Sequence, residues 1–343
     1  EKEPDLAAIF AANESSRVRC VATTFETRPD WCREEHVNRM LAMGVTKVEL
    51  GVQHLDDRIL DYNRRGHAVA DSVTANCLLR DAGLKVGFHI MPNLPGASLA
   101  DDRKMFQDLF ADQRFRPDFL KIYPTLVTPG SEIEGLWEQG EYRPYTEEEL
   151  IDLIAYAKAL LPEYVRLQRI QRDIPAKLIV AGSRHSNFRQ LAEARLHSQG
   201  LSCRCIRCRE VGRTAAPEAA EVSTYTYQAC GGEERFIQAG SEDALVGFAR
   251  LRFPHRPLRD DLTDAALLRE LHVYGSVVPL GTQAGADEWQ HRNFGLRLLS
   301  TAEEEARDHG YRRLAVMSGV GVRPYYRKQG YEQVGPYMIK TFP

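Results

Sequence analysis

Apolar and polar positions follow two periods along the first half of the chain. Short β-branched and apolar runs at 17–26, 45–53, 84–91 and 119–125 alternate with segments of helical spacing at 33–43, 68–82, 101–110 and 146–161. Asp30 is placed to cap the first of these helices and Gly83 to close the second, while Thr146 and Glu149 have capping-box spacing for the last. Strands alternating with helices of this length predict βαβ units and a parallel sheet, open or barrel-like. In such sheets chemistry gathers at the C-terminal ends of the strands, which singles out Glu26, Glu49, Gln53, His89 and Lys121. Taken singly, Glu49 and Lys121 also read as a buried ion pair and His89 as a hydrogen-bonded core histidine; their convergence on corresponding strand ends is what raises the functional reading.

The character changes after Pro162. Residues 164–213 carry eleven Lys or Arg against Asp173, Glu193 and Glu210, a local charge of +8 in a chain whose net charge is −3. Such a belt suits a polyanionic partner, with an ordinary solvated face as the plain alternative. Arg169, Arg172, Lys177, Arg184 and Arg189 are the candidates for phosphate contact, because a guanidinium donates two hydrogen bonds at once. Within the belt Cys203, Cys205 and Cys208 form C-x-C-x-x-C, while Cys20, Cys32, Cys77 and Cys230 stand apart. An odd, clustered set of cysteines points to a metal in a reducing cytoplasm. A tetrahedral zinc site needs one more ligand, and His197, His185, Cys230 and Cys32 are the alternatives.

From Val222 onward the pattern predicts antiparallel strands at 236–238, 245–253 and 268–278, a helix opened by the turn at 290–295 and running to His309, a strand at 313–318, and a short helix and turn at 322–331. A Gly-containing turn leading into a helix N-terminus is a natural pyrophosphate site. The length of 343 residues accommodates two domains of about 150 residues each. With 43 % hydrophobic and 27 % charged residues the chain is neither disordered nor fibrous, and no apolar run is long enough to span a membrane. Position 1 is Glu, so the reading expects a fragment whose true N-terminus is missing.

The segments Glu26-Thr-Arg-Pro-Asp30, Leu50-Gly-Val-Gln53, Met91-Pro-Asn-Leu-Pro95, Leu120-Lys-Ile-Tyr-Pro-Thr125, Gln171-Arg-Asp-Ile-Pro175, Cys208-Arg-Glu-Val-Gly212, Glu270-Leu-His-Val-Tyr-Gly275 and Gly335-Pro-Tyr337, in this order, closely resemble the catalytic subunit of Elongator in its prokaryotic form. The resemblance implies a partial parallel β/α barrel of the radical S-adenosylmethionine type over 1–175, a basic zinc-binding linker over 176–221 and an α+β GNAT acetyltransferase domain over 222–343. It implies acetyl-CoA, S-adenosylmethionine, a four-iron four-sulfur cluster and zinc as cofactors, tRNA as partner, and transfer chemistry ending in a carboxymethyl-type group on carbon 5 of the wobble uridine. A homodimer is left open. The family's three cluster cysteines have no counterpart before Cys20, so the reading expects this chain not to cleave S-adenosylmethionine reductively.

By the same resemblance Glu49, Gln53, His89 and Lys121 line the barrel mouth, with Lys121 among the catalytic candidates. Leu271, His272 and Val273 offer backbone to the pantetheine arm, His272 also being a catalytic candidate; Phe294, Gly295 and Leu296 meet the pyrophosphate. Tyr325 and Tyr326 lie where such enzymes carry a proton donor for the leaving thiolate, and at least one of the two is expected in the core. The family's Gln-x-x-Gly-x-Gly turn is matched by Gln290 and Gly295, but position 293 is Asn, a residue that tolerates a left-handed backbone. Protein or histone lysine acetylation, and tRNA binding without turnover, are the competing readings.

Overall fold

The computed structural model describes residues 5–171, 174–185, 187–214, 217, 219–274 and 293–343. Helix α1 (Leu6–Ser15), capped by Asp5, precedes a sheet of five strands: β1 (Thr24–Thr27), β2 (Lys47–Gln53), β3 (Lys85–Ile90), β4 (Phe119–Ile122) and β5 (Arg166–Ile170). They lie in sequence order and every pairing is parallel. The connections carry α2 (Glu34–Ala42), α3 (Asp57–Tyr62), α4 (Val69–Asp81), α5 (Leu99–Ala111), α6 (Glu132–Glu138) and α7 (Glu147–Ala159). The expected alternation is therefore present. Gly83 closes α4 at φ 79°, and Thr146 and Glu149 exchange the two capping-box hydrogen bonds at 3.2 and 2.8 Å.

Two expectations are corrected, and one strand is added. Asp30 does not cap α2: its carboxylate accepts from Arg28 Nε at 2.9 Å, and the cap is made by the Arg33 backbone N–H donating to His36 Nδ1 at 3.2 Å. The strand expected over 17–26 shrinks to Thr24–Thr27, because the residues before it leave the sheet to lie against the C-terminal domain, where the Gly321 N–H donates to the Cys20 carbonyl at 2.8 Å. Strand β5 falls inside what reads as a basic segment; of its side chains only Leu167 is buried, so it carries little apolar signal.

Strand periodicity sorts the first sheet into two faces. Val48, Leu50, Val52, Val86, Phe88, Ile90, Leu120 and Ile122 are fully buried in one core with Val37, Leu79, Phe106 and Ile154 of the helices. The opposite face carries Lys47, Glu49, Gln53, Lys85, His89, Phe119 and Lys121.

After α8 (Phe188–Ser198) and α9 (Ile206–Arg209) comes a seven-stranded sheet made of β6 (Glu221–Ala229), β7 (Gly232–Gly240), β8 (Leu245–Phe253), β9 (Ala265–Val273), β10 (Arg313–Val316), β11 (Glu332–Val334) and β12 (Tyr337–Thr341). Its order is β11-β12-β10-β9-β8-β7-β6, antiparallel except for the β9–β10 pair. One face packs beneath α10 (Phe294–Asp308) in a second core with Ala249, Leu268 and Leu298; the other, with Phe236, Phe248 and Leu267, joins the core of the first sheet. Helix α11 (Arg323–Arg327) bridges β10 and β11.

Between the two sheets lies a buried ionic seam. Arg269 of β9 holds both oxygens of Asp118, which precedes β4, at 2.7 and 2.8 Å, and Glu234 of β7 at 2.7 Å. Arg80 of α4 reaches Glu234 at 2.9 Å, and Arg252 of β8 reaches Asp81 at 2.6 Å. The second sheet thus seals the N-terminal end of the first.

Candidate active site

Glu49 is the hub of the polar face. Its carboxylate meets His89 Nε2 at 2.8 Å, Lys47 Nζ at 2.6 Å and, closer still, Lys121 Nζ. Burial pushes the Glu49 carboxyl up, but the His89, Lys47 and Lys121 donors outweigh it and hold the group well below the usual carboxylate range. The second ring nitrogen of His89 faces Glu26 at 3.3 Å, and Lys47 also reaches Gln168 Oε1 at 3.0 Å. Glu49 therefore touches two of the other three residues expected at the mouth, His89 and Lys121.

Gln53 sits at the end of β2 with φ 66°, buried, its Oε1 without a hydrogen bond; Gln171, just past β5 with φ 75°, is placed alike. Each is a buried amide oxygen at a strand C-terminus, without a partner among the described residues, and can accept from a hydrogen-bond-donating ligand.

Below the hub, Lys47 Nζ lies 4.1 Å from the Phe119 ring centre and the Arg250 guanidinium 5.5 Å from it. Arg250 Nε donates to Glu270 at 2.8 Å, and Arg166 joins Tyr274 Oη at 2.7 Å and the Glu210 carboxylate more closely. His272, paired with Phe248 across β8 and β9, has its ring 4.5 Å from Tyr274. Alternation along β9 sends Glu270 and His272 toward the barrel and Leu271 and Val273 toward α10. The His272 ring is thus on the other side of the strand from Tyr325.

On the α10 side, parallel pairing of β9 with β10 stops at Leu268 opposite Val316. Helix α10 begins directly beyond Asn293, whose φ of 60° and ψ of 16° are left-handed and whose side chain makes no cap hydrogen bond; no acidic residue lies in the first turn. Fifteen residues of helix direct their positive dipole end at this point. A methyl group on Gly295 would sit 3.4 Å from Tyr325 Oη and 3.8 Å from a Val273 methyl. Burial raises the Tyr325 hydroxyl pKa, so the group carries its proton at neutral pH. Tyr326 instead lies in the second core, 5 % exposed, its ring 5.7 Å from that of Tyr331. Leu296 is exposed at the helix start, and Gln290 falls outside the described residues.

The ligand atoms of Cys203, Cys205 and Cys208 lie within 4.8 Å of one another, beside the first residues of β5. The Cys205 and Cys208 sulfurs are 3.7 Å apart, close to the roughly 3.8 Å between thiolates on a tetrahedral zinc with bonds of about 2.3 Å. Hydrogen bonds from Cys203 and Cys208 hold the Cys205 thiol well below its ordinary pKa. Lys158, fully buried, reaches Cys208 at 3.7 Å and Glu193 at 2.9 Å, and Glu193 lies 3.5 Å from the same sulfur. Of the four fourth-ligand alternatives, His197 lines the same cavity of about 440 Å³. His185 pairs with Glu147 at 3.0 Å, Cys230 hydrogen-bonds to Asn76, and Cys32 is buried alone in the first core.

Much of the basic belt is tied down. Arg195 pairs with Asp152 and Glu148, Arg204 with Glu163 at 2.8 Å, Arg213 with Glu210 at 2.7 Å, and Arg189 donates to the Leu167 carbonyl at 3.1 Å. Lys177 and Arg184 are exposed, Arg184 donating to the Ile179 carbonyl at 2.9 Å, and Arg169 is exposed on β5. Arg172 lies outside the described residues. Lys47, Gln168, Arg166, Tyr274, Lys158 and Glu193 escaped the sequence reading. Lys47 alone carried a signal, the same two-residue alternation that places Glu49.

The chain matches the Radical SAM superfamily over residues 2–109, the Radical_SAM C-terminal domain over 117–198 and the Acetyltransferase (GNAT) family over 207–331. It is 46 % identical over 338 residues to the tRNA uridine(34) acetyltransferase of Dehalococcoides mccartyi, covering 96 % of this chain and 73 % of that protein. The chain belongs to the tRNA uridine(34) acetyltransferase family. Within that family it is 45 % identical over 339 residues to the Methanocaldococcus jannaschii protein, and 41 % over 338 to human Elongator complex protein 3, each over 96 % of this chain. It spans 63 % and 62 % of their respective lengths. The solved structure of archaeal Methanocaldococcus infernus Elp3 with an N-terminal deletion superposes with a TM-score of 0.93 at 44 % identity, over all of this chain and 83 % of that one.

The radical SAM match implies S-adenosylmethionine and a four-iron four-sulfur cluster, and the GNAT match implies acetyl-CoA. The orphaned oxygens of Gln53 and Gln171 fit the first. Among the described residues the cysteines that can share an ion are Cys203, Cys205 and Cys208, which lie at the start of β5 and away from the strand C-termini, so they do not fit the cluster.

Proposed function

We propose that this chain carries the acetyl-CoA-dependent half of wobble-uridine modification in tRNA, with the barrel receiving the nucleoside. The observation that carries the reading is the Tyr325 hydroxyl held beside Gly295 at the start of α10, next to β9, whose pairing with β10 ends at Leu268 among the described residues. Acetyl-CoA takes up both features. Its pantetheine arm pairs with backbone of Leu271 to Val273, and its pyrophosphate meets the N-terminus of α10 at Phe294, Gly295 and Leu296. As the acetyl group passes from the sulfur to the nucleoside, which gives up a proton in exchange, Tyr325 gives its hydroxyl proton to the sulfur, coenzyme A leaves as a neutral thiol, and the released proton restores the tyrosine hydroxyl through solvent.

Uridine approaches from the barrel side, flipped out of its loop. Lys177, Arg184 and Arg169 contribute phosphate contacts, with Arg172 and Arg189 in the same belt. Glu49, His89 and Lys121 form the polar wall of the chamber, and Gln53 and Gln171 hold S-adenosylmethionine, which when bound supplies radical chemistry in this family. Cys203, Cys205 and Cys208 hold zinc, a reading supported by the sulfur spacing; the ion fixes the linker against β5. Boundaries near 175 and 221 separate barrel, linker and acetyltransferase.

The test compares coenzyme A release with a tRNA bearing uridine at position 34 and with the same tRNA bearing cytidine there. Greater release with uridine is expected. Equal release with both, or acetylation of peptide lysines in preference to either, contradicts the reading.

A further inference from the structure

We propose that the cavity between α1, the end of α2, α11 and the β11–β12 turn is a binding site for an organic carboxylate, a monoanion with an apolar body. The cavity measures about 650 Å³, within the range of small-molecule sites, and none of the residues placed in the sites above lines it. Leu6, Phe10 and Leu41 supply an apolar wall, and Arg259, Arg323 and Arg327 supply cations. Helix α1 has no buried residue, so it stands over this space without closing a core beneath it.

Arg323 carries the inference. It opens α11, is 4 % exposed, and its Nε has no hydrogen-bond partner among the described residues. A buried N–H without an acceptor is costly, and a ligand that brings the acceptor gains by relieving it. The Arg323 Nη1 reaches Glu14 only at 3.4 Å, because Arg327 holds that carboxylate more closely. The Arg323 guanidinium lies 5.6 Å from the Phe10 ring centre, and Arg259 gives its Nε and Nη2 to Asp261 at 3.0 and 2.9 Å. Three guanidiniums thus face the two carboxylates of Glu14 and Asp261, and one added monoanion completes the pairing. The planar guanidinium fork suits a carboxylate, Glu14 beside it disfavours a second negative charge, and the apolar wall takes the body of the ligand. Tyr325, two residues further along the same short helix, holds its hydroxyl beside Gly295 and does not line the cavity, so this site is separate from the one proposed for acetyl-CoA.

The test titrates octanoate into the full chain by calorimetry, first alone and then with acetyl-CoA in excess. One site per chain is expected, unaffected by acetyl-CoA, with 1-octanol binding at least about tenfold more weakly because it lacks the charge. Arg323→Met should weaken octanoate binding by a similar factor. So should Ala42→Trp, which keeps every guanidinium and fills the cavity from the end of α2, where Ala42 is exposed. Arg114→Met, at an exposed pair elsewhere, should leave binding unchanged. Ala42→Trp decides the case if Arg323→Met does not fold. Octanoate that fails to bind at millimolar concentration, that binds either folded variant as tightly as wild type, that is matched by 1-octanol, or that acetyl-CoA displaces overturns the proposal.

Discussion

Replacing Arg269 with Met removes the centre of the ionic seam between the two sheets. Arg269 is fully buried and donates to the Leu84 carbonyl at 3.0 Å, to both oxygens of Asp118 and to Glu234. Four buried guanidiniums, of Arg80, Arg250, Arg252 and Arg269, face the carboxylates of Asp81, Asp118, Glu234 and Glu270, and the Lys85 ammonium acts on Glu270 as well. Without Arg269 the carboxylates of Asp118 and Glu234 lose their closest cation in a place water does not reach. Glu234 keeps Arg80 at 2.9 Å and Arg252 at 3.0 Å, whereas Asp118 keeps the Val86 N–H at 2.9 Å but has no cation closer than Arg80 and Arg250 at 3.5 Å. Breaking a buried pair from one side costs about 3–5 kcal/mol, and the loss should appear as a lower urea midpoint. Arg114→Ala, which removes an exposed pair with Asp112, is the control and should cost less than about 1 kcal/mol.

The seam also fixes a pH dependence. Burial pushes Asp118 and Glu234 up, but the charges of Arg269 and Arg80 outweigh it and hold both carboxyls below their ordinary values. A depressed carboxylate contributes stability that is present above its unfolded pKa, about 4, and lost as the pH falls through that value toward the folded one. The wild-type chain should therefore lose stability between about pH 5 and 3, and Arg269→Met should lose less over the same interval. An Arg269→Met variant within about 1 kcal/mol of wild type at neutral pH, with an unchanged acid slope, would refute the assignment of the seam as the main polar tie between the sheets.

Tyr325→Phe should lower coenzyme A release at least about a hundredfold, while Tyr326→Phe, a change inside the second core, should leave it near wild type; steady-state kinetics of the two variants distinguish them. Asn293→Gly keeps the left-handed backbone and removes a side chain from the α10 entrance, so acetyl-CoA should bind more tightly by calorimetry, whereas Asn293→Ala should cost about 1 kcal/mol of stability. Replacing Lys177 and Arg184 together with Ala should weaken tRNA binding and flatten its dependence on log salt by roughly one to two, read from filter binding across a salt series. Cys205→Ser should release one equivalent of zinc, measured by elemental analysis of the purified chain.

How far the sequence carries depends on the range over which each feature is encoded. Alternation within β2 is local, so Glu49 and Gln53 could be placed together, and the same alternation held Lys47. Alternation within β9 was equally local and already separates His272 from Leu271 and Val273, which is why one strand serves two faces. The left-handed backbone at Asn293 was legible because Asn stands there where the resembled turn has Gly, and Asn tolerates that conformation. Strand β5 was hidden because Arg166 and Arg169 are polar and make their contacts through tertiary structure, Arg166 with Glu210 and Tyr274. The ionic seam was invisible: Arg80, Asp118, Glu234 and Arg269 are far apart along the chain, and no local period relates them. Charge counting, conversely, cannot tell that Arg195 and Arg204 within the basic belt are spent on nearby carboxylates.

The central claim, that the α10 entrance is an acetyl-CoA site coupled to tRNA, is tested most directly by following free coenzyme A thiol from acetyl-CoA with and without tRNA, at low and at moderate salt. The account predicts release that tRNA stimulates, with stimulation falling as salt rises and vanishing in Tyr325→Phe. Tight tRNA binding without any release, in the wild-type chain and in Asn293→Gly alike, would contradict it.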